Sequence, residues 1–365
     1  MNDAAWMLAA LAIGRRGLGL VSPNPAVGCV LVRDGIVVGR GHTQPGGRPH
    51  AETQALAQAG ARARGATAYV TLEPCAHHGK TPPCAEALVA AGIARCVVAL
   101  EDPDPRVSGR GIGMLREAGV EVSEGLLAGA ARDANAGFLA RISHGRPMVT
   151  LKLASSLDGR IATHGGESRW ITGQPARRLA HLLRRQHDAV AVGSGTVLAD
   201  DPLLTVRLPG LEEPPPLRVV VDGRLRTPLT ARLVSHADAA PTLLVALDGA
   251  DPVRRRAFAA CGVEVAEIPA DGDGLLDLAA MLRLLGDRGI TRLLVEGGAT
   301  LAASLLRARL VDRIAWFRSP GLIGGDGLAA IKPYGIDRLS DQVRATRLSM
   351  RRVGEDVLET WALAS

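Results

Sequence analysis

The sequence predicts an α/β protein of two domains, and three observations carry that prediction. Its 365 residues exceed what one hydrophobic core serves, since single cores stop growing at roughly 250–300 residues. Short apolar runs alternate with helical segments along the chain, the pattern of sheets covered by helices. A stretch at 143–147, SHGRP, interrupts that alternation as a linker and divides the chain into residues 1–145 and 146–365.

The elements follow in order. MNDAAWMLAALAIGRRG has a short apolar run, but Asp3 precedes it, Arg15 and Arg16 follow it and no small-residue cleavage site appears, so an amphipathic first helix is expected and not a signal peptide. AVGCVLV and IVVGRG flank RDG as a hairpin whose turn chemistry comes from Asp34-Gly35. A helix from about Ala51, a strand ATAYVTL, a helix CAEALVAAG, a strand ARCVVAL, a helix GIGMLREAG, a strand VEVSEG and a helix to about Ile142 complete the first series. The second begins at MVTLKLASSLDGRIA. It has strands at AVAVG, LRVVVD, PTLLVAL, GVEVAEI, TRLLVEGG and DRIAWF, and helices at about 175–187, 275–287 and 299–308. The alternating tail ATRLSMRRVGEDVLETWAL closes the sheet as antiparallel edge strands.

Composition narrows the function classes. With 47% hydrophobic and 22% charged residues and no long run of either, the chain is an ordinary globular protein. No apolar stretch approaches the 20 or so residues of a membrane span. Five cysteines at 29, 75, 84, 96 and 261, odd in number and irregular in spacing, suit a reducing compartment better than a disulfide framework, which makes the cytoplasm the expectation. A net charge of +6 with scattered basic residues and nine Phe, Trp and Tyr in all argues against nucleic acid, which wants a basic patch and stacking platforms. Only three of 43 basic residues are lysine: Lys80, Lys152 and Lys332. Where arginine is the habitual choice, a retained lysine points to a need for lysine.

The first candidate site combines PHAE with VTLEPCAHHGKTPPC. The proline before His50 starts a helix, and EPC closes a strand while Cys84 opens another helix. His50, Cys75 and Cys84 therefore fall at element ends, where helix dipoles favour thiolates. Three such ligands leave the fourth position that catalytic zinc keeps open. Glu52 does not ligate but stands where a carboxylate can move a proton, and zinc lowers the pKa of water to about 7. An H-x-E followed by cysteines is the pattern of zinc deaminases, with P-C-x-x-C as the short form; here eight residues separate Cys75 from Cys84. Taken singly, Cys75 and Cys84 read better as small core residues and His50 as a helix-capping group; it is their combination with Glu52 that points to metal. His77 and His78, on a loop with Gly79 and Lys80, are placed for substrate more than for metal.

PNPAVGCVLVRDGIVVGRGH, PHAE and VTLEPCAHHGKTPPC resemble the deaminase domain of the bifunctional riboflavin-biosynthesis deaminase/reductases, within the cytidine-deaminase-like superfamily. The longer cysteine spacing is normal in that family. The resemblance implies a three-layer α/β/α domain in which His50, Cys75 and Cys84 hold one zinc and Glu52 shuttles the proton. LKLASSLDGRIAT, ESRWITG, VGSGTVLADDPLLTVR and LLVEGGATLAASLL resemble the reductase domain of the same family, implying a dihydrofolate-reductase-like fold that uses NADPH. By that resemblance Ala154, Trp170, Thr196, Asp200, Gly298, Ala299 and Thr300 contact the cofactor. Ser168, Arg184, Leu204, Arg207 and Glu296 contact a ribosyl-phosphate substrate, and guanidinium forks suit the phosphate. Without the family, VGSG lacks the full dinucleotide fingerprint, and the paired glycines of VEGG fit either a diphosphate approach or a tight turn.

Two features stand apart. VVVDGRLRTP has Gly223 where the family commonly has serine, leaving Arg224 or Arg226 to supply charge for the cofactor's 2′-phosphate. Lys152 alternates with Leu151 and Leu153 and so points to the opposite face, which the resemblance assigns to the substrate and nicotinamide, a catalytic candidate whose alternative is a surface lysine on an edge strand. The expected activity is hydrolytic deamination of a phosphoribosylamino-pyrimidine, then NADPH reduction of its ribosyl chain to ribityl. A nucleoside or nucleic-acid deaminase fused to an unrelated NADP-binding domain is the rival enzyme, and a scaffold closed around a structural zinc the rival of another class. Small phosphorylated pyrimidines are the expected partners, with no nucleic acid and no membrane. The sequence leaves oligomeric state open, a homo-oligomer included.

Overall fold

The computed structural model describes residues 2–78, 82–211 and 214–363. It divides into two compact units, Met1–Gly145 and Arg146–Ser365.

The first unit runs α1 (Asp3–Gly14), β1 (Gly28–Arg33), β2 (Ile36–His42), α2 (Ala51–Ala59), β3 (Thr67–Val70), α3 (Cys84–Ala90), β4 (Arg95–Val98), α4 (Arg110–Glu117), β5 (Glu121–Glu124), α5 (Ala128–Ala134) and α6 (Ala136–His144). Its sheet has the order β2-β1-β3-β4-β5. β1 is antiparallel to both neighbours, and β3, β4 and β5 are parallel. The hairpin turns at Asp34 and Gly35 with φ of 53° and 75°, the left-handed pair that a two-residue loop needs. Alternation along each strand splits the apolar residues between two cores. Cys29, Leu31 and Val70 face α2, α3 and α4 through Ala55, Leu88 and Leu115; Val30, Tyr69 and Val97 face α1 and α5 through Met7, Leu11 and Ala131. This makes three layers. The single helix expected to about Ile142 is two, because the Asn135 side chain donates to Ala131 O at 3.3 Å and its backbone leaves the helical region at φ −98°, ψ 13°, a polar side chain competing with the helix ladder. α6 reaches into the expected linker and ends at Gly145 with φ 64°, a left-handed C-terminal stop.

The second unit runs β6 (Met148–Ser155), β7 (Arg160–Ala162), α7 (Gln174–Arg185), β8 (Ala189–Gly193), α8 (Ser194–Asp200), β9 (Leu217–Val221), α9 (Arg232–Ser235), β10 (Thr242–Leu247), α10 (Pro252–Ala260), β11 (Glu264–Ile268), α11 (Leu278–Asp287), β12 (Arg292–Glu296), α12 (Ala299–Arg307), β13 (Arg313–Arg318), β14 (Leu328–Ala329), β15 (Ala345–Val353) and β16 (Asp356–Leu363). Nine strands form one sheet, β11-β10-β9-β8-β12-β6-β13-β16-β15. It is parallel from β11 to β13, and β16 and β15 follow antiparallel. One face packs on α11 and α12 through Leu285 and Leu305. The other packs on α8, α9 and α10 through Val197, Leu233 and Phe258. Lys152 lies on β6, an interior strand between β12 and β13, which removes the edge-strand alternative.

Candidate active sites

In the first unit the segments that end β2 and β3 and begin α2 and α3 converge. His50 is the residue before α2, Cys75 follows β3, and Cys84 opens α3. Their ligating atoms all lie within 4.8 Å of one another: His50 Nδ1 is 3.2 Å from Cys84 Sγ and 3.6 Å from Cys75 Sγ. The backbone N–H of Cys84 donates to Cys75 Sγ at 3.3 Å. The hydrogen bond from the Cys84 thiol, with help from His50, holds Cys75 down to about 4 against the effect of burial. Cys84 is correspondingly pushed up, by its bond to Cys75 first and burial second. Glu52, in the first turn of α2, is 3% exposed; burial first, and the charge of Cys75 second, push its carboxyl up to about 7. One imidazole and two sulfurs at this spacing are a donor set that suits zinc, and three ligands leave a position open.

Glu73, two residues before Cys75, went unremarked in the sequence. It is buried and its carboxylate accepts four backbone N–H groups, from Gly111 and Ile112 at 2.9 and 3.1 Å and from Asp102 and Gly109 at 3.2 and 3.0 Å. It thereby ties the start of α4 and the loop before it to the Cys75 turn. The signal was its place in LEPC, where an apolar neighbourhood surrounds an acid that must find donors. Among the neighbouring candidates, His78 Nε2 stands 3.5 Å from Glu86, His77 Nδ1 is buried without a hydrogen-bond partner among the described residues, and Lys80 lies outside them.

In the second unit a cavity of about 1200 Å³ opens at the carboxyl ends of β6, β8, β9, β10 and β12, where open parallel sheets bind ligands. Lys152, Ala154, Ser168, Arg184, Thr196, Asp200, Leu204 and Glu296 line it, as do Gly298, Ala299 and Thr300 at the start of α12. Gly297 and Gly298 have φ of 92° and 86°, a conformation that favours glycine. A side chain on Gly298 would also meet Thr196 Oγ1 at 3.4 Å. Two expected contacts stand apart from this lining. Trp170 is 69% exposed with the Arg177 guanidinium 4.4 Å above its ring, and Arg207 is exposed, its backbone N–H donating to His181 Nδ1 at 3.3 Å.

An ion pair lies inside the cavity. Arg184 grips Glu296 through Nε–Oε1 at 2.5 Å and Nη2–Oε2 at 3.0 Å, and donates to Thr205 O at 2.8 Å. Burial works against ionisation of Glu296, yet the charge and hydrogen bonds of Arg184 hold it down to about 2. Lys152 is the register partner of Glu296 across β6 and β12, so the two side chains share a face. Burial lowers the Lys152 pKa and the charge of Glu296 opposes that. Ser194, Asp222, Arg224 and Arg226 also line the cavity.

A three-donor cluster beside a buried glutamate, joined in one chain to a parallel-sheet cavity with a glycine turn and a helix N-terminus, defines a metal-dependent deaminase coupled to a dinucleotide-using reductase. Comparison with known proteins agrees unit by unit. Residues 1–100 match the cytidine and deoxycytidylate deaminase zinc-binding region, and residues 147–358 match the RibD C-terminal domain. Riboflavin biosynthesis protein RibD of Escherichia coli K12 is 43% identical, with 98% of each chain covered. The RibD of Aquifex aeolicus is 40% identical over 98% of this chain and 97% of its own. Among solved structures, Acinetobacter baumannii RibD superposes with a TM-score of 0.88 at 39% identity, covering 100% of this chain and 99% of that one. A Thermotoga maritima diaminohydroxyphosphoribosylaminopyrimidine deaminase/5-amino-6-(5-phosphoribosylamino)uracil reductase does so at 0.85 and 34%, covering 99% and 98%. The chain belongs to the RibD family of bifunctional riboflavin-biosynthesis enzymes, with a zinc-binding deaminase domain and an NADPH-binding reductase domain. No helix among the described residues is long and apolar enough to cross a membrane.

Proposed function

We propose that residues 1–145 remove the 2-amino group of 2,5-diamino-6-(5-phosphoribosylamino)pyrimidin-4(3H)-one by hydrolysis. Residues 146–365 then reduce the ribosyl chain of the resulting 5-amino-6-(5-phosphoribosylamino)uracil to ribityl. The convergence of His50, Cys75 and Cys84 beside Glu52 is the observation that most supports the first step.

In this reading His50, Cys75 and Cys84 are the zinc ligands. Zinc, when bound, supplies a Lewis acid that brings hydroxide within reach at neutral pH. Glu52 accepts a proton at its carboxylate from the attacking water and hands it to the departing amine. Glu73 positions the Cys75 turn through its four N–H bonds.

For the second step Ala154, Thr196, Asp200, Gly298, Ala299 and Thr300 hold NADPH, with Trp170 at its exposed margin, and the cofactor supplies the hydride. Left-handed Gly297 and Gly298 let backbone and the α12 N-terminus approach a diphosphate. Ser168, Leu204 and Arg207 contact the substrate. Arg184 and Glu296 act as a pair that sets the charge around Lys152 and the opened sugar. The five cysteines stand free, which supports a cytoplasmic setting. β15, exposed along nearly its whole length and without a strand partner on its outer edge among the described residues, supports assembly with a second copy.

Ammonia release and NADPH oxidation measured on the pyrimidine substrate test both steps. Ammonia without later NADPH oxidation would leave the second step unsupported, and neither signal would sink the reading. Expressing 1–145 and 146–365 apart tests the division of labour: each fragment is expected to keep one activity.

A further inference from the structure

Leu204 and Arg207 lie on a stretch after α8, residues 201–207, that is neither helix nor strand. Leu204 is 2% exposed with a φ of 54°, a left-handed conformation that a leucine keeps only when its surroundings impose it. The backbone groups of such a stretch must find partners outside any ladder. Three side chains supply them. Arg218, buried on β9, donates to Leu203 O at 3.4 Å. Arg184 donates to Thr205 O at 2.8 Å, and the Arg207 N–H donates to His181 Nδ1 at 3.3 Å.

Two of these three come from one stripe of α7. The helix turns Ala176, Leu179 and Leu183 toward Phe317 and Leu358, while Arg177, His181 and Arg184, spaced by four and three residues, line up on another side. Arg177 lies over the Trp170 ring, and Arg184 holds Glu296. His181, between them, is the member that no motif announced. Because a backbone N–H can only donate, His181 Nδ1 accepts, and the imidazole is neutral with its proton on Nε2. Burial first, then the charges of Arg184 and Arg207, push its pKa down to about 4, against Glu296 and the Thr205 carbonyl. At neutral pH the acceptor is therefore always present.

Arg207 itself is exposed, and its guanidinium forms no ion pair among the described residues. A long side chain so placed is directed by its backbone, since no packing immobilises its rotamers. We propose that His181 is a positioning residue: through Nδ1 it fixes the backbone of Arg207 and so aims the Arg207 guanidinium at the phosphate of the substrate. The proposal rests on the reading of Arg207 as a substrate contact.

Calorimetric titration of the full chain, without NADPH, with 5-amino-6-(5-phosphoribosylamino)uracil and with its dephosphorylated riboside separates aiming from general packing. Unaltered protein is expected to bind the phosphorylated compound at least about tenfold more tightly, the worth of a charge-assisted phosphate contact. His181→Leu, which has no acceptor, should cut that preference to about threefold or less while riboside affinity stays within about twofold. His181→Asn puts an amide oxygen where Nδ1 stands and should restore the preference. A full preference in His181→Leu would overturn the assignment. So would an equal loss for both compounds or weakened binding of NADP+, either of which makes His181 a prop of the whole unit, and so would His181→Asn behaving like His181→Leu. If unaltered protein binds both compounds alike, the phosphate contact of Arg207 falls, and the role of His181 with it.

Discussion

The two sites are both built where strands end, yet they hold their chemistry in opposite ways. The first gathers three soft donors within 4.8 Å from a few tens of residues of chain, and its charge balance is completed by a metal. The second spreads over about 1200 Å³, draws on residues from 152 to 332, and is built around the buried Arg184–Glu296 pair. A compact site fails all at once when one ligand goes; a distributed one loses function by increments. Each of the expectations below strains that contrast at a different point.

The largest effect is expected at the compact site. Glu52→Gln should keep zinc and lower deamination by about 10²–10⁴-fold, the range for a positioned proton carrier. Cys84→Ala should lose both metal and deamination, because three ligands fix the site and a missing one weakens it severely. NADPH oxidation should persist in both when 5-amino-6-(5-phosphoribosylamino)uracil is supplied directly. Elemental analysis beside ammonia release checks the pair; full zinc in Cys84→Ala would remove that cysteine from the ligand set, and a parallel fall in reductase activity would break the contrast between the sites.

Legibility followed the same contrast. His50, Cys75, Cys84 and Glu52 could be found because His, Cys and Glu at element boundaries have few other uses, and the turn at Asp34-Gly35 because only left-handed residues fit there. Ser194 and Asp222 could not, since they are ordinary residues that parallel pairing of β8 with β9 brings together. The fold showed similar gaps. α10 escaped notice because it buries only Phe258 and so lacks an apolar stripe, although Asp251 caps it by accepting from Val253 N and Pro252 opens it. The break at Asn135 depended on a side-chain hydrogen bond that no periodicity announces.

Next in size are stability effects in the second unit. Arg184→Met should destabilise it by about 3–5 kcal/mol, since the Glu296 carboxylate, 9% exposed as a side chain, would be left buried and unpaired. Adding Glu296→Leu should recover part of the loss, and urea unfolding followed by fluorescence reads both, because three of the four tryptophans, at 170, 316 and 361, lie in this unit. A smaller, pH-linked loss comes from His187. Its Nδ1 lies 2.7 Å from Leu183 O and its Nε2 3.0 Å from Thr150 Oγ1; the carbonyl can only accept, so Nδ1 carries the proton. Burial first, and the charge of Arg292 second, push its pKa down to about 3. The unfolded chain then takes up this proton first as pH falls, so the contribution is whole above about pH 6.5 and lost toward pH 3, on the order of 2 kcal/mol by pH 5. His187→Gln should flatten the fall in unfolding midpoint between pH 7 and pH 5; equal slopes in the two proteins would exclude His187 as its source.

The smallest expected effect is the most discriminating, because it asks whether the distributed site contains one irreplaceable atom. Lys152 sits on an interior strand beside Glu296 and near Arg184, in a chain with only three lysines. Burial lowers its pKa, which eases proton loss from an ammonium while a guanidinium stays charged. A lysine there also offers three rotatable donors from a compact head, whereas an arginine presents a larger planar fork. Lys152→Arg keeps the formal charge and should still lower reductase turnover by at least about tenfold, or roughly 1.4 kcal/mol of transition-state stabilisation, with deamination unchanged. A fall confined to KM would make Lys152 a binding group shared with the ion pair. Near-normal kcat and KM in steady-state NADPH oxidation would end its catalytic role, and the second site would then work through the collective field of its charges.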